Sequence, residues 1–143
     1  MIGLGSKSTL IHIIDFGLSK RYWDPLNGKH IEFMTNKSMA GTLRYASINT
    51  QSGYEQGRRD DLESASYILL YFLKGSLPWQ KIVLPNKKEK YRKICEIKKS
   101  MSPEMLCSGM PYALLTMMKY CRDLKFDENP NYDMLKKLLK EAF

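Results

Sequence analysis

The sequence predicts a mainly α-helical domain with a small β-hairpin at its start and a long irregular loop ahead of its helices. Three observations lead there. Beyond residue 60, apolar residues recur at helical spacing in four separate segments. The stretch 18–58 is dense in turn signals, among them Asp24-Pro25, Asn27-Gly28 and Ser52-Gly53. Residues 1–14 place a Gly5-Ser6-Lys7-Ser8 turn between Ile2-Gly3-Leu4 and the apolar run Leu10–Ile14, the pattern of a hairpin.

Each element follows from its residues. Loops as long as 18–58 inside a folded domain are usually functional or disordered, and the aromatics and glycines here favour function. Asp60-Asp61 opens a helix running to about Leu73. Its second half, Tyr67-Ile68-Leu69-Leu70-Tyr71-Phe72-Leu73, is apolar on every side, which predicts a buried central helix ended by Gly75 and Pro78. Lys87 to about Ser100 is basic and amphipathic, with Tyr91, Ile94, Cys95 and Ile97 inward. Pro111 to Leu124 starts with proline at the first helical position and carries Leu114, Leu115, Met117, Met118 and Cys121 inward. Asn131 to Phe143 repeats an apolar face through Met134, Leu135, Leu138, Leu139 and Ala142. These Met and Leu stripes read as core.

Composition narrows the class. The 143 residues are 43% hydrophobic and 11% aromatic, enough for one folded domain with a core. Lys and Arg number 23 against 15 Asp and Glu, a net charge of +8 that favours acidic or phosphorylated partners. The three cysteines lack metal-ligand spacing and read as reduced, buried thiols of an intracellular protein, cytoplasmic or nuclear. No apolar run approaches the roughly 20 residues needed to cross a bilayer, so no membrane partner is expected.

The chemistry-bearing motif is Asp15-Phe16-Gly17 at the end of Ile11-His12-Ile13-Ile14, followed in the loop by Gly41-Thr42-Leu43-Arg44-Tyr45. A carboxylate at a strand end can hold Mg²⁺ that bridges nucleotide phosphates. Phe16 can pack beneath it, and Gly17 permits a sharp turn. Taken alone, the tripeptide equally fits a strand that ends in a polar turn.

Longer blocks carry a resemblance. Ile13-Ile14-Asp15-Phe16-Gly17-Leu18-Ser19-Lys20, Gly41 to Thr50, Arg58-Arg59-Asp60-Asp61-Leu62-Glu63-Ser64 and Gly75-Ser76-Leu77-Pro78-Trp79-Gln80 together resemble the casein kinase 1 family. Ser47-Ile48-Asn49 stands where most protein kinases carry Ala-Pro-Glu, a substitution typical of that family. The similarity continues through Cys121-Arg122-Asp123-Leu124-Lys125-Phe126-Asp127. It implies the large, C-terminal lobe of a protein kinase, cut just after the catalytic loop, so that residues 1–143 form a partial kinase domain without the amino-terminal lobe.

The roles below are those the resemblance implies. Asp15 chelates the nucleotide-bound Mg²⁺, Ile14 lines the adenine pocket, and Phe16 and Gly17 complete the nucleotide-side motif. Thr42 meets the catalytic-loop aspartate and orients the substrate hydroxyl. Asp61 accepts backbone N–H bonds from the catalytic loop, although a helix cap beside Asp60 is an equally physical use for it. Arg44 and Lys90 bind a phosphate or acidic group on the substrate, or else are surface charge. Lys81 replaces the glycine usual beside that anion site and either adds a third cation or crowds it. The cofactors implied are ATP and Mg²⁺, and the substrates are acidic or pre-phosphorylated proteins. By the resemblance, the catalytic aspartate, the lysine two residues beyond it and the second metal-ligand asparagine would precede Met1, so the chain alone is expected to be inactive, with a sticky apolar surface and a tendency to self-associate. Two other readings stay open. One is a non-catalytic kinase-like module that binds acidic partners. The other is a nucleic-acid binder built on Lys87-Lys88-Glu89-Lys90-Tyr91-Arg92-Lys93, for which a solvated helix face is the better account.

Overall fold

The computed structural model describes residues 1–142, and Phe143, which the periodicity assigns to the last helix, lies outside them. The chain is mainly helical. A two-stranded antiparallel sheet pairs β1 (Trp23–Asp24) with β2 (Lys29–His30). The helices are α1 (Ile48–Gln51), α2 (Arg58–Lys74), α3 (Lys87–Ser100), α4 (Pro103–Leu106), α5 (Tyr112–Asp123) and α6 (Tyr132–Ala142). The four long helices lie where apolar periodicity puts them. The single turns α1 and α4 were not anticipated. Each is started by a serine, Ser47 or Ser102, whose side chain accepts an amide N–H of the first turn.

Three expectations need correction. The hairpin over 1–14 is reduced to one antiparallel bridge, Ile2 with Ile11, around a 3₁₀ turn at Gly5–Lys7. Backbone bonds Gly3 N to Leu10 O (3.0 Å) and His12 N to Met1 O (2.8 Å) hold the ends. A ladder needs a face to bury, and here Ile13 is 80% exposed. Pro111 sits at the cap of α5 rather than inside its first turn. Finally, α2 is not buried all round. Tyr67 and Leu70 are fully enclosed, whereas Phe72 is 73% exposed, because α2 packs against α5 on one side and, among the described residues, nothing folds over the other near its end. Gly75 then closes α2 in the left-handed conformation (φ 75°), as its sequence position predicts.

The core gathers around α2 and α5. Tyr67, Leu70, Trp79, Leu114 and Met118 form its centre, with Tyr67 and Trp79 edge-to-face at 5.0 Å. Each side chain of this size contributes about 2 kcal/mol by leaving water. Met117, Cys121 and Leu135 seal α6 onto α5. The three cysteines are buried and free, in agreement with expectation.

Phe126, in the connection from α5 to α6, joins remote segments. It meets His30 edge-on at 4.7 Å and Phe33 at 5.2 Å, and the Arg59 guanidinium lies 5.9 Å from its ring centroid. Gly57, just before α2, is pressed so closely to this residue that a Cβ there would fall 2.7 Å from the Phe126 carbonyl oxygen.

Candidate functional site

Asp15, Thr42 and Asp61 line one cleft of about 530 Å³, together with Lys20, Tyr22, Gly41 and Arg58. These residues come from three stretches far apart in sequence. Asp15 adopts a left-handed backbone (φ 64°), uncommon for a residue other than glycine and of the kind that collects at functional sites. That turn lets the Gly17 amide donate to Asp15 Oδ1 at 3.2 Å, which orients the carboxylate. Thr42 is exposed at the start of a turn in which the Tyr45 and Ala46 amides both donate to its carbonyl at 3.0 Å.

The paired aspartates at the head of α2 divide their work. Asp60 is buried and does the capping: its Oδ2 accepts the Gly57 amide at 2.8 Å and its Oδ1 accepts the Ser47 hydroxyl at 2.6 Å. Asp61 takes no part in this and opens into the cleft. Partial desolvation, with the Asp60 carboxylate adding to it, raises its pKa. The capping use weighed for Asp61 therefore belongs to Asp60.

The cleft's cations are already engaged. Lys20 pairs with Glu55, which also holds Lys37 at 3.1 Å. Arg58 donates to Asn129 Oδ1 (3.0 Å) and to the Asp127 carbonyl (2.8 Å), and lies 4.5 Å from the Tyr22 ring centroid. Among the described residues neither Asp15 nor Asp61 has an ion-pair partner. The cleft lining thus holds two acids, Asp15 and Asp61, and two bases, Lys20 and Arg58, with the two carboxylates left free to take a cation or N–H donors. The donor set fits Mg²⁺ as a contributor only. Asp15 supplies one well-oriented carboxylate, and Mg²⁺ commonly takes one or two along with phosphate oxygens and water. Among the described residues no cluster of three or more His, Cys, Asp or Glu could hold a metal unaided.

The other expected site residues fare differently. Ile14 and Phe16 do not line the cleft, and Phe16, expected to pack under Asp15, is 67% exposed. No apolar surface of the described chain reaches that side of the motif to receive the ring. Arg44 is half-buried, its guanidinium 5.7 Å from the Tyr45 ring centroid and 5.5 Å from that of Tyr71. The Trp79 indole donates to the Arg44 carbonyl, which brings Arg44 to the turn leading into exposed Lys81. Lys90 stands in the first turns of α3, half-buried, and no polar contact links it to that corner.

A buried polar network beneath the cleft was not foreseen. Glu63 Oε1 accepts the Tyr67 hydroxyl and the Ile48 amide (3.2 Å). Arg122 reaches the Tyr67 hydroxyl (3.3 Å) and the carbonyls of Met101 (2.8 Å) and Lys98 (3.2 Å). Burial raises the Glu63 and Tyr67 pKa values and pushes the Lys98 ammonium down to about 7. The available signal was spacing: Glu63 and Tyr67 are one turn apart, and Lys98 follows buried Ile94 by one turn. No family model matches this chain. Among the described residues no helix is long and apolar enough to cross a membrane.

Proposed function

We propose that this chain is the large-lobe portion of a casein kinase 1-like Ser/Thr protein kinase, whose complete form transfers the ATP γ-phosphate to acidic or pre-phosphorylated proteins. The observation that carries the reading is the shared cleft of Asp15, Thr42 and Asp61. Motifs separated by long stretches of sequence have no general reason to meet at one opening with two unneutralised carboxylates.

In this reading Asp15 is the one metal ligand the chain supplies, fixed by its left-handed turn and by the Gly17 amide. Mg²⁺ bound with ATP would neutralise charge on the transferring phosphoryl group. Asp61, open to the cleft, accepts N–H groups from a catalytic loop lying across it. Thr42, in the same cleft, orients that loop and the substrate hydroxyl. Arg44 offers a guanidinium pre-positioned on two tyrosine rings to an acidic group of the substrate. Positioning and charge stabilisation make up nearly all of phosphoryl-transfer catalysis. The base and the nucleotide clamp are not among these 143 residues. The chain alone therefore transfers no phosphate to a casein-like acidic protein with Mg-ATP. Joined to a kinase half that supplies the nucleotide lobe and catalytic loop, it does, and Asp15→Ala abolishes the transfer. Transfer by the isolated chain that depends on Asp15 would overturn the reading.

The exposure of Ile14 and Phe16 favours a second reading, a non-catalytic kinase-like module that binds acidic or phosphorylated partners. Capture of a phosphorylated peptide by the chain, with no transfer even in the joined form, would select it.

A further inference from the structure

Lys98 has no exposed surface, on a helix whose neighbouring Lys93 and Lys99 are in solvent. Its ammonium donates to the Ala46 carbonyl at 2.7 Å and the Leu43 carbonyl at 3.0 Å. It also lies 4.9 Å from the Trp79 ring centroid and 5.1 Å from that of Tyr67, both within range of a cation–π attraction. Among the described residues no backbone amide outside the regular helices pairs with either carbonyl. The turn's own amides, from Tyr45 and Ala46, point back to Thr42. The fixed charges facing Lys98 are Glu63 on α2 and Arg122 on α5, with the Cys95 thiol on its own helix and the Tyr67 hydroxyl beside Glu63.

We propose that Lys98 is the positioning residue of the Thr42–Ala46 turn, its ammonium clamping that turn to α3 and so setting where Thr42 stands at the cleft and where Arg44 stands in the turn beside it. Burying an ammonium is costly, and a packed apolar side chain of similar volume is often no worse for stability. The charge accounts for itself through what it holds, the buried Ala46 carbonyl and the part-buried Leu43 carbonyl, which, among the described residues, no backbone amide outside the helices pairs with. Arg44 is then fixed at three points: Trp79 binds its carbonyl, Lys98 binds the carbonyl before it at Leu43, and Tyr45 and Tyr71 flank its guanidinium. The clamp is a property of the fold. That the clamped turn faces a substrate hydroxyl and an acidic group rests on the kinase reading above.

Amide hydrogen exchange on the full chain at about pH 6, below the folded Lys98 pKa of about 7, tests the clamp without any activity. Lys98→Met fills the same space without donors, so a role limited to volume survives it. Lys98→Arg retains charge and donors. In the Met variant the Tyr45 and Ala46 amides are expected to exchange about tenfold faster, the loss of one charge-assisted bond. The Tyr67 to Leu70 amides of α2 keep their rates. In the Arg variant the turn amides return toward wild-type rates. Turn exchange within about twofold of wild type in the Met variant would overturn the proposal. If the Met variant also loosens α2, the Arg variant decides: recovered turn protection supports the clamp, and continued loss with α2 intact overturns it. Phosphate transfer by the joined kinase tests the kinase reading separately, because exchange at the turn is blind to it.

Discussion

The Trp79 indole donates its Nε1–H to the Arg44 carbonyl at 2.8 Å, a bond that spans 35 residues of sequence. Trp79 is itself buried against Tyr67, so Arg44, which sits between the cleft-lining Thr42 and Tyr45, is tied directly to the core. In the joined kinase, Arg44→Ala should lower activity on a phospho-primed peptide by about ten- to a hundredfold, the worth of a charge-assisted contact. An unprimed peptide without acidic residues should be used almost as before. Equal loss on both would make Arg44 structural. Trp79→Phe keeps an aromatic ring and loses the bond, at a cost of about 1 kcal/mol in denaturant titration. Lys81→Gly weakens phosphopeptide use if Lys81 joins the anion and strengthens it if Lys81 crowds the site.

Acid should release the loop before it melts the helices. Burial pushes the Glu55 carboxyl up, but hydrogen bonds from Lys20 and Lys37 outweigh it and leave the pKa below the usual 4.5. The unfolded carboxyl therefore takes its proton first as pH falls. The stability Glu55 contributes is complete above about 4.5 and is lost as pH drops through the lower folded value. Trypsin sensitivity of the 20–37 segment at neutral pH should rise in Glu55→Gln, with helix content unchanged by circular dichroism. A segment cut no faster than wild type would mean that Glu55 is not what holds it.

Lys98 gives the opposite dependence. Its folded pKa of about 7 lies below the ordinary 10.5. Below both values each state holds the proton, and the burial cost is carried in full. Between them only the unfolded chain keeps it, so stability rises with pH across that window. The melting temperature should climb from about pH 6.5 to about pH 8.5, a range that ends before ordinary thiols are largely ionised. Lys98→Met should flatten that climb. The same slope in both proteins would place the titrating group elsewhere.

Exposed apolar side chains run through Ile2, Leu4, Ile11, Ile13, Phe16 and Leu18, and Phe72 adds another on α2. Surfaces of this kind seldom stay bare in water. Sedimentation of the isolated chain should show mass rising with concentration, and Ile13→Lys combined with Phe72→Lys should reduce it. A clean monomer at high concentration would count against that expectation.

Much of this was readable from residue order, and the reasons differ by element. The long helices announced themselves through periodicity, and Gly75 through the stop it imposes. The turns α1 and α4 did not, because a single helical turn has no period to detect and depends on the Ser47 and Ser102 caps. Asp15, Thr42 and Asp61 were legible as motif residues, but only the fold brings them to one cleft. Lys98 and Glu63 were not, since a lysine in a basic helix and a glutamate in a helix's first turns look like solvated charge until packing turns them inward. Phe16 failed in the other direction. Its motif predicts a packed ring, and packing needs a second surface that the described chain does not bring to it.

The clustering at Phe126 orders events in time. A ribosome delivers the chain from its amino-terminal side, and His30, Phe33, Gly57 and Arg59 all emerge well before the residue they pack against. The β1–β2 hairpin and the approach to α2 must wait for the connection between α5 and α6 before they can settle. Even the loop that carries Thr42 and Arg44 is therefore flanked, on its early side, by structure finished late. A nascent chain arrested short of Phe126 should hold the Asp15 and Thr42 motifs on a surface not yet seated, and the cleft between them should close into its final form only once the connection between α5 and α6 has been made.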